Sequence, residues 1–141
     1  MIPNGKSALS DLAVKLLFSV APETSSMFVA TNTGMIATLM QCLAQELDQG
    51  VAVRLHDIEE MKAIFAGVAP RIADDLGGSV ATFRDRTPTS YRLGDVTAVH
   101  AEALELLIAL HERAEAKNAA ALDEEIWQFL ERMAERHKFD V

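Results

Sequence analysis

A chain of 141 residues, half of them hydrophobic and 24% charged, has the size and composition of a single globular domain, here residues 1–141. At this length it can bury about two-thirds of its unfolded surface, so no disulfide or structural metal is needed. A net charge of −8 and a pI near 4.9 oppose nucleic-acid phosphates and anionic lipid, so neither nucleic acid nor membrane is expected as a partner.

At the N-terminus, Leu9, Leu12, Ala13, Leu16, Leu17 and Val20 recur at helical spacing, while Asp11 and Lys15 break the apolar run that a secretion signal would need. The segment reads as a packed amphipathic helix. No eighteen-residue stretch is uncharged, predominantly apolar and free of strong polar interruption, which argues against a transmembrane span. Pro3, Pro22, Pro70 and Pro88 sit where each can start or break an element.

Over residues 23–48, Val29, Ile36, Leu39, Met40, Leu43 and Leu47 form one stripe of period 3.6, and Gly50 is placed to end that second helix. The run Thr31-Asn32-Thr33-Gly34 has low helix propensity, and Asn32 puts an amide in the apolar stripe, where it can fix helix register or meet a ligand. Cys42 is the single cysteine; it excludes an intrachain disulfide and fits a reducing, cytoplasmic setting. Its neighbours Gln41 and Leu43 supply no group that would activate the thiol.

Beyond Gly50, residues 51–55 suit either strand or helix, and Asp57 followed by Glu60 resembles a capping box opening a helix through Phe65, which Gly67 and Pro70 then break. Helical periodicity disappears over residues 77–94, where Ser79 to Phe83 and Ser90 to Leu93 could pair as a short β-hairpin. Residues 95–117 carry the long stripe Val96, Val99, Ala103, Leu106, Leu107, Leu110 and Ala114, widened by Leu104 and Ile108, as befits a helix covered on two sides. The last helix holds Leu122, Ile126, Phe129, Leu130 and Met133, with an acidic start and a basic end that suit its dipole. The expected fold is all-α: four to five helices in a mostly antiparallel bundle, with one irregular or hairpin excursion near 77–94.

Chemical signatures are sparse. There is no Gly-x-Ser-x-Gly elbow, phosphate loop, dinucleotide glycine pattern or Cys-x-x-Cys pair. No glutamate stands three residues before any histidine, which removes the di-iron carboxylate bundle. His100 and His111 lie about 16 Å apart along one helix, too far to share an ion. His56 with Glu60 and His111 with Glu115 are helical i,i+4 pairs that read first as surface interactions. His137 follows the apolar line of the last helix but also occupies its final turn, where capping is the simpler role. No catalytic residue, metal ligand or cofactor is assigned.

Arg84, Arg86 and Arg92, set among Thr82, Thr87, Thr89, Ser90 and Tyr91, form an arginine-bearing stretch in an otherwise acidic chain and are the candidate anion site. Mean hydropathy of +0.11 leaves more apolar surface than a small monomer needs and favours a homodimer. Three functions follow in order: a non-catalytic helical protein acting by self-association or partner docking, a module binding a small anionic ligand through the arginines, and a metal-dependent enzyme.

Overall fold

The computed structural model describes residues 4–72 and 74–140, and among these every regular element is helical. Helix α1 is Gly5–Lys15, α2 Met27–Val68, α3 Asp75–Phe83, α4 Leu93–Ala116 and α5 Ala120–Arg136. A π-helical turn, Leu16–Val20, and a 3-10 turn, Ala21–Glu23, carry the chain out of α1; a second 3-10 turn, Ala69–Arg71, follows α2. The all-α expectation therefore holds.

The boundaries follow from local chemistry. The Asn4 side chain accepts the Ser7 N–H at 3.3 Å and opens α1, and Asp74 does the same for the Gly77 N–H in α3 at 3.4 Å. Pro22 and Pro70 both sit in 3-10 turns, where a missing N–H costs little. Asn118, at φ 51°, takes the left-handed conformation that ends α4 and lets α5 begin two residues later. Any side chain at Gly77 forces a backbone shift, because a Cβ there would stand 2.0 Å from the Ile72 carbonyl oxygen.

Three expectations are corrected. Gly50 does not end the second helix: α2 runs unbroken for 42 residues, about 60 Å, and its glycines keep helical backbone. A glycine costs only about 1 kcal/mol inside a helix, and the packing of residues beyond it outweighs that. Asp57 and Glu60 are consequently mid-helix and not a capping box. No hairpin forms over residues 79–93: residues 75–83 are helical, α4 starts at Leu93, and only residues 84–92 are irregular.

The chain divides into two compact units, one running to Gly50 together with Phe139 and Asp140, the other Val51–Lys138. Helix α2 contributes to both. In the first unit α1 lies antiparallel to the start of α2, since Lys6 pairs with Asp48 at 2.5 Å and Ser10 bonds Gln41 at 3.2 Å. Asp140 exchanges two 2.9 Å hydrogen bonds with the Gln45 amide.

The second unit has a conventional core drawn from four helices. Ile58, Met61, Phe65 and Val68 of α2 meet Val80 and Phe83 of α3, Val96, Val99, Ala103, Leu107 and Leu110 of α4, and Ile126 and Phe129 of α5. Phe65 and Phe83 pack edge to face at 5.8 Å. The stripe foreseen for α4 is largely this core, although Leu106 is only partly covered and Ile108 stays 60% exposed.

Candidate functional sites

Two features depart from what an ordinary helical core requires, one in each unit. The first is the surface of the α1–α2 hairpin. Among its described residues the buried apolar ones are small, Ala13, Ala37 and Ala44, accompanied by Thr33. The large ones point outward: Phe18, Met27, Phe28, Met35, Leu39, Leu43 and Leu47 are each at least half exposed. Small side chains let the two helices approach closely, and that contact leaves the bulky side chains without cover. The α2 stripe noted in the sequence is this exposed surface, for Val29, Ile36, Leu39, Leu43 and Leu47 all belong to it. Asn32 is only partly buried, and the buried polar residue of this segment is Thr33, whose hydroxyl donates to the Val29 carbonyl of its own helix at 2.8 Å.

The second feature is a polar cluster inside the Val51–Lys138 unit. Asp57 is fully buried, and its carboxylate collects four N–H groups. His100 Nε2 and His137 Nε2 reach Oδ2 at 3.0 and 2.6 Å. Arg136 reaches Oδ1 with Nε at 2.9 Å and Nη2 at 2.7 Å. The same guanidinium donates to Glu60 at 2.8 Å, Arg132 adds a 3.3 Å bond to Glu60, and His56 stands 3.6 Å from it. Helices α2 and α4 and the end of α5 thus meet at one carboxylate, with no buried side-chain nitrogen or oxygen left unpaired among the described residues.

Electrostatics agree with this geometry. Burial pushes the Asp57 carboxyl up, but the bonds from His100, His137 and Arg136 outweigh it and hold the pKa at about 2. Glu60 is likewise lowered, burial being outweighed by Arg136 and Arg132. Arg136 is raised: burial opposes its charge, and Asp57 and Glu60 more than restore it.

Of these contacts the sequence pointed only to the His56–Glu60 pair, and it did not bring Asp57, His100 and His137 together. His137 does follow α5 as its C-cap, but its ring reaches Asp57 as well. The His56–Glu60 pair exists as expected, whereas His111 turns to Asp123 at 2.8 Å and packs edge-on against Trp127. His111, Glu115 and Asp123 make a second, more open trio of donor atoms.

The arginine segment is not gathered into one site. Arg84 pairs with its neighbour Asp85 at 3.2 Å, and Arg86 forms a two-pronged 2.8 Å bridge to Glu102. The two border different clefts, Arg84 beside Phe65 and Val80, Arg86 beside Asp74 and Ser79. Arg92 is exposed at the N-cap of α4. Two of the three guanidinium groups therefore already face carboxylates. No protein family matches the chain, and no characterised protein or solved structure is similar to it.

Proposed function

We propose that the chain is a helical interaction protein that self-associates through the exposed apolar face of its α1–α2 hairpin. The observation that carries this reading is the reversal of size with burial: alanines inside, leucines, methionines and phenylalanines outside. Thirteen large apolar residues are exposed on the hairpin, and those sharing one side of α2, Phe28, Val29, Met35, Ile36, Leu39, Leu43 and Leu47, present on the order of several hundred Å², comparable with the ~800 Å² per partner of a stable interface. A second copy of the same hairpin supplies a matching face and would complete a four-helix bundle, which is how two-helix units usually bury such stripes.

Contrary to the sequence expectation, helix α2 is long and apolar enough, by length and composition, to cross a membrane. The antiparallel pairing speaks for protein instead of lipid. Ser10 lies beside Gln41, so exposed Asp11 and Lys15 flank the middle of the uncharged stretch of α2, where charged groups would be costly in hydrocarbon.

Light scattering after size exclusion tests the proposal on the wild type and on a Leu39→Glu, Leu43→Glu variant. A wild-type dimer or higher oligomer and a monomeric variant of unchanged helicity are expected. A monomeric wild type across the micromolar range would overturn it, as would wild-type protein that floats with lipid vesicles in preference to self-associating.

A further inference from the structure

We infer that Asp57, His100 and His137 form a binding site for a divalent transition-metal ion of the zinc or iron(II) kind. The three donors come from three elements, the last third of α2, the second turn of α4 and the C-cap of α5, and all lie in the Val51–Lys138 unit. Their ligand atoms, Asp57 Oδ2 and the two Nε2 atoms, fall within 4.8 Å of one another, with oxygen-to-nitrogen separations of 3.0 and 2.6 Å. Ligands held at about 2.1 Å from one ion stand roughly 3 Å apart, so small side-chain rotations bring all three into a first coordination sphere.

Convergence is the decisive point. Two imidazoles aim the same ring nitrogen at the same carboxylate oxygen, with their centroids 5.9 Å apart and planes tilted by 39°, so they neither stack nor seek separate acceptors. Arg136 occupies the other oxygen, Oδ1, with two N–H groups and fixes the carboxylate so that Oδ2 faces the histidines. Partners of that kind orient the ligands of protein metal sites. Nitrogen-rich donor sets with one carboxylate select zinc, iron(II) and their neighbours over calcium and magnesium, which prefer oxygen alone. Binding needs no net proton release from neutral imidazoles: each moves its proton from Nε2 to Nδ1, and the lone pair exposed at Nε2 takes the metal. Asp57 is buried and His100 nearly so, while the His137 side chain is one-third exposed, which gives an ion an entry side and leaves a position for water.

The test is titration of chelator-treated full-length protein with Co²⁺, followed by its visible d–d absorption, and with Zn²⁺ by calorimetry. One ion per chain is expected, with affinity falling at least about tenfold in His100→Gln and in His137→Gln while the helical circular dichroism persists. His111→Gln, which removes the histidine of the more open trio, should leave binding unchanged. Absence of saturable binding would overturn the site, and so would binding that survives both histidine variants or is lost in His111→Gln. The result is independent of self-association, because the three ligands belong to one chain.

Discussion

In the Val51–Lys138 unit, α2 turns Ile58, Met61 and Phe65 inward and covers them with three other helices; in the first unit the same helix buries Ala37 and Ala44 and leaves Leu39 and Leu43 in the open. Both stretches have helical apolar periodicity, yet one closes a core within the chain and the other presents a surface. The difference lies in the number of partners. Four helices enclose a stripe on every side, whereas a two-helix hairpin can cover only the narrow line between its members.

The largest expected effect sits in the enclosed unit. Replacing Asp57 by Ala strands Arg136 and two imidazoles without their acceptor and should cost about 3 to 5 kcal/mol, read from chemical denaturation. Leu107→Ala, at a site 2% exposed in that core, should cost about 2 to 5 kcal/mol at any protein concentration. Leu39→Ala sharpens the contrast. Its cost should be small in dilute protein and grow with concentration, because its proposed partner is another chain. A concentration-independent loss as large as that of Leu107→Ala would put Leu39 in a core and break the comparison.

Acid should act on the enclosed unit next. Asp57 has a folded pKa of about 2 against an ordinary 3.8, so it binds protons less readily when folded. Its contribution, about 2 kcal/mol, is complete above pH 4 and is lost as pH falls toward 2. Melting in the presence of a chelator should show that loss in wild type and a weaker one in Asp57→Asn. Gly77→Ala should cost about 1 to 3 kcal/mol, since its methyl group meets the Ile72 carbonyl. The smallest effect belongs to the exposed Arg86–Glu102 bridge, where Arg86→Gln should cost at most about 1 kcal/mol in thermal denaturation.

The helical class and the α4 and α5 faces were legible because periodicity reports burial directly when a helix has one core side. The continuity of α2 was not, since propensity at Gly50 is local and the packing of Ile58 and Met61 is tertiary. The cluster left a signal that is visible only when its three residues are taken together. Asp57 lies on the line of Met61, Ile64 and Val68, His100 on that of Val96, Ala103 and Leu107, and His137 on that of Ile126, Leu130 and Met133. Polar groups on three apolar lines must find one another or remain unsatisfied. For the hairpin, periodicity located the stripe but could not say whether its cover came from the same chain.

Cys42 gives the most direct test of that cover, because this lone cysteine stands beside Leu39 and Leu43 on α2 and is partly accessible. A spin label on Cys42 places one reporter per chain. Pulsed dipolar spectroscopy of concentrated protein should yield a resolved distance between two labels, which Leu39→Glu with Leu43→Glu removes. A featureless decay from wild type, identical to that of the variant, would contradict the pairing of hairpins.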